Sequence, residues 1–327
     1  MLDCVPNSQP LTANTDPGKG GFSEPAECGR LGEPSLPSRP SQAVPYACLC
    51  VRVGLGCIMN RLIVCGSFLV MTALGFAADI PTAGLMVDLD PVKGVTLDAQ
   101  GRVTAWKSQA GPAEARDFVG QPKGRREPTS GLPSVVKEPR AALSFRQQEL
   151  VCHDEAAFDG LIRGSGCTWV AVIKVYPQRV GLKDVNSFFG NLRNGQKYEG
   201  LWGCLDDDNT VWWGARNGIT FGRFDVNNPK LVGPKLEEGR FHFLAGRMGT
   251  GQTEAKLEFF VNDLKPCATA QFPINPKADA SKLAIGQERD AIQHPGKESF
   301  DGEIARFLLW DRPLTDAELK TVFEGVK

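Results

Sequence analysis

Histidine and tyrosine are scarce, with three of each in 327 residues. His153, His242 and His294 are scattered, and no HExxH, Cys-x-x-Cys or Gly-x-Ser-x-Gly segment accompanies them. Zinc-hydrolase and serine-hydrolase readings thereby lose the spacings their chemistry needs. An excess of charge of either sign is also missing, the formal net charge being -1. Such a balance excludes nucleic acid and an anionic membrane as expected main partners. The one small basic cluster, "KGRR" at Lys123–Arg126, lies between Pro122 and Pro128 and reads as a solvated loop. Internal repeats are absent too, which argues against a propeller.

The first 58 residues are rich in Pro, Gly and Ser and carry no sustained periodicity, so residues 1–58 are expected not to fold. Cys4, Cys28, Cys48, Cys50 and Cys57 lie there without zinc-finger spacing. Residues 59–78, "MNRLIVCGSFLVMTALGFAA", follow a different logic: Arg61 supplies a positive start, Leu62 to Leu74 an apolar core, and Gly75 to Ala78 small residues for cleavage. These are the parts of a secretory signal peptide, and the apolar run is short for a spanning helix. Translation is therefore expected to start at Met59. The mature protein is expected in the periplasm, in the cell envelope or outside the cell, with no membrane span. Tryptic peptides from Leu2–Arg52 in the isolated protein would count against that start.

Export changes what the remaining cysteines imply. Cys152, Cys167, Cys204 and Cys267 permit three fully paired connectivities. Cys152 and Cys167 end and begin successive strand-like segments and are the first pair to test, with free buried thiols the alternative.

From Asp79 to Lys327 the chain reads as short β-rich runs separated by Gly, Asn, Asp and Pro. "CTWVAVIKVYP", "NTVWWGAR", "FHFLAGRM" and "AKLEFFVNDL" are typical. About 250 residues of this kind suit one antiparallel sandwich or barrel domain. The last segment, "FDGEIARFLLWDRPLTDAEL" (Phe300–Leu319), alternates like a strand through Ala305, Phe307 and Leu309 and stops at Pro313. Thr315 and Glu318 then form a capping box, with Leu314 and Leu319 as its hydrophobic staple, so a short helix is predicted to end near Gly325.

In order, "LSFRQQELVC", "GCTWVAVIKV", "FHFLAGRMGTGQTEAKLEFFVNDL", "KLAIGQ" and the closing segment resemble the laminin-G-like branch of the concanavalin A-like lectin/glucanase superfamily. His242 and Ala245, Ile285-Gly286, Phe300, Gly302, Ile304, Leu309, Arg312, Leu314 and Glu318 carry the resemblance, over roughly Leu85–Phe323. It implies an all-β, two-sheet antiparallel jelly-roll sandwich with a short C-terminal helix. It also implies that the last strand returns beside the first, with the helix covering the sandwich end. Ala305-Arg306 stands where relatives often carry acidic residues, which weakens transfer of a calcium site.

That superfamily includes glycan hydrolases and lyases. Retaining hydrolysis needs two carboxylates about 5–5.5 Å apart, and side chains two residues apart on a strand share a face. No Glu-x-Asp-x-x-Glu segment meets this need. Asp301 and Glu303 have part of the spacing and read as a solvated turn pair.

Recognition has better candidates. In "LWGCLDDDNTVWWGAR", a strand over Asn209–Arg216 turns Val211, Trp213 and Ala215 to one face and Trp212, Gly214 and Arg216 to the other. The second set, joined by Trp202, is expected on an outer, sugar-binding face, since an indole packs against pyranose C–H groups and Arg donates to hydroxyls or carboxylates. The alternative is that these tryptophans fill or edge the sandwich. Asp206 and Asp208 belong either to an acidic hairpin turn or to a calcium site, to which Asp88 and Asp90 could contribute; no cofactor is required. The expectation is an exported, non-catalytic module recognising a carbohydrate or glycoconjugate. The alternatives are a structural or protein-binding module of the envelope and, behind it, a polysaccharide hydrolase or lyase.

Overall fold

The computed structural model describes residues 79–120, 131–179, 186–194, 197–220, 224–288 and 299–326. The expected unfolded extension and the signal peptide lie outside the described residues, as does the "KGRR" loop.

The strands, in chain order, are β1 (Leu85–Leu89), β2 (Val95–Leu97), β3 (Val103–Lys107), β4 (Asp117–Gly120), β5 (Ser134–Val136), β6 (Ala142–Arg146), β7 (Leu150–Cys152), β8 (Cys167–Val175) and β9 (Asn186–Gly190). There follow β10 (Arg193–Asn194), β11 (Tyr198–Leu205), β12 (Thr210–Asn217), β13 (Lys230–Lys235), β14 (Phe241–Met248), β15 (Glu254–Val261), β16 (Ala268–Pro273), β17 (Ala284–Ile285) and β18 (Asp301–Trp310), and then helix α1 (Asp316–Val326). An eight-stranded sheet runs β16-β15-β14-β8-β18-β6-β5, with β1 also on β18; a ten-stranded sheet runs β13-β12-β11-β9-β17-β7-β4-β3-β2, with β10 on β11. All of these strand pairs are antiparallel, so the domain is the expected two-sheet β-sandwich.

The return of the last strand beside the first is seen directly. Leu89 pairs with Phe307 and Leu85 with Trp310, while the start of β18 pairs with β6. Phe307 and Leu309 point between the sheets, and Leu308 and Trp310 point outward. Ala305 joins the outward set, against the simple alternation, because a bulge between Ile304 and Arg306 shifts the register.

Strand β8 explains its own composition. Trp169, Ala171, Ile173 and Val175 fill the space between the sheets, while Val170 and Val172 lie in a second apolar cluster on the other face. A strand buried on both faces reads as an unbroken apolar run. That second cluster is closed by α1 through Leu319, Val322 and Val326, with Phe323 edge-on to Phe243 at 4.8 Å. The helix thus lies on the outer face of the eight-stranded sheet, not over the sandwich end, because its apolar side packs on the outward residues Val170, Val172, Phe243 and Leu308 of that sheet. Each fully buried Leu or Val there contributes roughly 1.5–3 kcal/mol. The capping box forms as read: Thr315 N donates to Glu318 Oε2 at 2.9 Å, and Glu318 N donates to Thr315 Oγ1 at 3.3 Å. Arg312 then grips Glu318 with both terminal nitrogens, at 3.0 and 2.6 Å.

The predicted disulfide is not made. Cys152 and Cys167 are free and buried, as is Cys204, while Cys267 is free and exposed. Adjacency in sequence misled here: Cys152 ends β7 in the ten-stranded sheet and Cys167 opens β8 in the other. The Cys152 thiol points at the Glu114 carbonyl, 3.2 Å away. Burial alone pushes the Cys167 thiol up to about 12.

Candidate functional site

The residues singled out for recognition meet on the outer face of the ten-stranded sheet. Strands β11 and β12 form a hairpin in which Trp202 pairs with Gly214, Cys204 with Trp212, and Gly200 with Arg216. Trp202, Trp212, Cys204 and Leu192 form an apolar cluster separate from the core, whereas Val211, Trp213 and Ala215 belong to the core. The face assignment read from alternation therefore holds. Space for the Trp202 indole is made by glycine: a Cβ at Gly214 would stand 3.0 Å from its ring, and one at Gly190, its partner on β9, 2.8 Å from its Cβ.

Accessibility differs from the expectation. Trp202, Trp212 and Arg216 are 1%, 0% and 4% exposed, so their surfaces are not open for a sugar to lie on. The rings are taken by neighbours. Trp202 and Trp212 meet edge to face at 5.3 Å, and Phe224 meets Trp212 the same way at 5.6 Å. The Arg216 guanidinium lies 4.3 Å from the Tyr198 ring centre and 4.8 Å from that of Trp202. Lys230 Nζ sits 4.3 Å from the Trp212 centre. Desolvated cation–aromatic contacts of this kind contribute on the order of 1–2 kcal/mol each, so both basic side chains are held by the tryptophans they cover. What this face offers outward is a rim: Tyr198 half-buried, and Phe224, Val226, Ile219 and Val232 exposed.

The acidic turn between the two strands divides its carboxylates. Asp206 Oδ1 accepts the Trp212 indole N–H at 2.9 Å and lies 3.4 Å from Lys230 Nζ. Asp208 Oδ1 instead accepts the Thr210 N–H at 2.9 Å, and Asn209 takes a positive φ of 69°. Hairpin chemistry accounts for both. The calcium reading of Asp206 and Asp208 loses its geometry, because the two carboxylates serve different donors. Among the described residues no group of three or more His, Cys, Asp or Glu side chains could hold a metal ion.

Asp88 and Asp90, the other acids considered for calcium, hold a guanidinium. Arg306 Nη2 is 2.6 Å from Asp88 Oδ1, and Nη1 is 2.7 Å from Asp90 Oδ2. The basic residue found where an acid was expected is thus the counter-ion of the first strand. Burial nevertheless pushes the Asp88 carboxyl up against the pull of Arg306.

Asp301 and Glu303 are the clearest miss. They lie in β18 and are buried, not in a solvated turn. Glu303 Oε1 is 2.6 Å from Lys174 Nζ and accepts the Tyr176 hydroxyl, and Arg146 stacks on the Tyr176 ring at 3.7 Å. Burial, then the bond to Glu303, raises the Tyr176 phenol above its ordinary value, which makes it a worse nucleophile, not a better one. His242 is structural as read: Nδ1 accepts from Asn262 at 2.9 Å, Nε2 meets the Glu237 carbonyl at 2.8 Å, and burial lowers its affinity for a proton.

No family model matches the chain, and no curated protein matches it. Among solved structures it is similar to Trypanosoma rangeli sialidase in complex with the inhibitor DANA, at 18% identity and a TM-score of 0.48, over 76% of this chain and 34% of that one. A Ruminococcus gnavus IT-sialidase CBM40 bound to alpha2,3 sialyllactose matches at 18% identity and a TM-score of 0.41, over 56% and 96%. A SAP-like pentraxin from Limulus polyphemus matches at 20% identity and a TM-score of 0.34, over 49% and 70%. The chain spans about a third of the length of the sialidases it matches. The expectation of a non-catalytic recognition module is not upheld: the matched structures include sialidases as well as a carbohydrate-bound module.

Proposed function

We propose that the domain engages a glycan at the rim of the outer face of the ten-stranded sheet. The observation that carries this reading is the convergence of Tyr198, Phe224 and Arg216, with Trp202 and Trp212 beneath them, on one patch outside the core. Trp202 and Trp212 act as the platform that fixes Arg216 and Lys230, and the sugar contacts fall to Tyr198 and Phe224. An aromatic edge of this kind suits a saccharide, whose C–H faces pack against rings. The laminin-G-like assignment belongs to the same proposal and rests on the closing-segment residues. A setting in the envelope or outside the cell rests on residues 59–78 alone.

The test is a glycan array probed with the full chain, carrying neutral and sialylated glycans, followed by mass analysis of every bound glycan for cleavage. Phe224→Ala and Tyr198→Ala are expected to weaken binding at least tenfold while leaving the melting temperature within a few degrees, since both side chains are at least partly exposed. Failure to retain any glycan, or full retention by both variants, overturns the reading.

A further inference from the structure

A cavity of about 190 Å³ lies beside the eight-stranded sheet, where the end of β1, the start of β6, β18 and the last turn of α1 meet. Its walls include Val92, Ala305 and Val326, and its polar lining is Arg140, Arg306 and Asp90. The two guanidiniums are not equivalent. Arg306 is matched by Asp88 and Asp90, at 2.6 and 2.7 Å. Arg140 donates to the Val326 carbonyl and lies 5.5 Å from the Phe241 ring centre, and among the described residues no carboxylate pairs with it. It is also partly desolvated, and the charge of Arg306 acts against its own, so its hold on its proton is weakened.

A half-buried cation facing a second cation, with one wall apolar and no acid of its own among the described residues, is an incomplete ion pair. We propose that this cavity binds a small monocarboxylate with a compact apolar body, its carboxylate on Arg140 and its body against Val92, Ala305 and Val326. Size and charge narrow the class. A cavity of roughly 150 Å³ holds a benzene ring, so 190 Å³ admits a ring or short chain bearing one carboxylate. Asp90 in the lining disfavours a dianion such as phosphate, because Arg306 already serves two carboxylates, Asp88 and Asp90. The bidentate fork of a guanidinium matches a carboxylate better than a halide. This site lies on the other sheet from the glycan rim and is independent of it.

Benzoate is the probe. Calorimetric titration of the full chain with sodium benzoate at low ionic strength is expected to show one saturable site, with chloride and phosphate binding at least tenfold more weakly. Arg140→Gln is expected to cost at least tenfold in affinity. Val92→Glu, at a position 75% exposed where the fold tolerates change, is expected to weaken binding several-fold by placing a like charge at the mouth. If Arg140→Gln does not fold by circular dichroism, Val92→Glu decides. No saturable benzoate binding, equal binding of chloride or phosphate, or unchanged affinity in the folded variants overturns the proposal.

Discussion

Asp90 and Arg306, 216 positions apart in the chain, share a hydrogen bond of 2.7 Å in which the guanidinium donates. With Asp88 at 2.6 Å on the other terminal nitrogen, the pair ties the first strand to β18 beyond their backbone ladder. Removing the arginine leaves two acids close together with little water. Arg306→Met is therefore expected to lower stability by about 2–3 kcal/mol at neutral pH. Burial already pushes the Asp88 carboxyl up, and without Arg306 the pull that opposes that rise is gone. The deficit is then present at neutral pH and shrinks as acidification protonates Asp88. Thermal melts of wild type and variant from neutral pH down to about pH 4 check this; a deficit that does not change with pH counts against it.

Glu318 tests the helix cap in the opposite direction. Its carboxyl is held down to about 2, first by Arg312 and then by the Thr315 N–H. A folded pKa below the unfolded one gives stability that is full above about pH 4.5 and is lost as the pH falls toward 2. Glu318→Gln should remove that acid-sensitive part and cost about 1 kcal/mol at neutral pH, the ordinary worth of a cap. The stability difference between the two proteins should vanish at the acid end of the series.

His242 adds a second acid limit nearer neutrality. Burial depresses its pKa from 6.5, so the unfolded chain takes up a proton that the folded chain refuses. Stability should fall as pH drops through 6.5. His242→Asn should flatten that slope in a urea titration series, and an unchanged slope would assign it to another group.

The cysteines give a chemical check on the two-sheet arrangement. Brief alkylation of the native protein, followed by peptide mass mapping, should label Cys267 and spare Cys152, Cys167 and Cys204. After denaturation all four should react without reductant. A peptide pair crosslinked through Cys152 and Cys167 would contradict the placement of β7 and β8 in different sheets.

Gly214 reports on the platform beneath the rim. Its Cβ would meet the Trp202 ring at 3.0 Å and the Pro229 carbonyl at 3.2 Å, one of them backbone. Gly214→Ala should cost about 1–3 kcal/mol through overpacking and should blue- or red-shift tryptophan emission as the indole moves. A silent substitution would mean that the indole does not lie over β12.

Much of this architecture was legible in the residues. The strand-to-helix handover at Pro313, the capping box and the opposed faces of Trp212 and Trp213 follow from local period and turn chemistry, whereas the return of β18 to β1 was implied by the resemblance of the closing segment. The errors arose where information is not local. Lys174 meets Glu303 only because β8 and β18 are neighbours in register, and nothing near either residue says so. Asp301 and Glu303 look like a solvated pair until that register is known. The cysteine pairing failed for the same reason: a short segment between two strands does not say whether the chain stays in one sheet or crosses to the other. For Trp202 and Trp212, alternation gave the face, but the cover provided by Phe224, Lys230 and Arg216 depends on a hairpin and its neighbouring strand assembling together.

The double duty of β18 also sets an order of events during synthesis. Along one side it completes the ladder of β8, and along the other it serves β6 and then β1. On a ribosome, β1 emerges long before the strand it needs, and β8 keeps a bare margin meanwhile. The nascent chain must hold an apolar, unpaired edge until Asp301–Trp310 has left the exit tunnel. A chain cut short before Asp301 would leave that edge open to strands of other molecules.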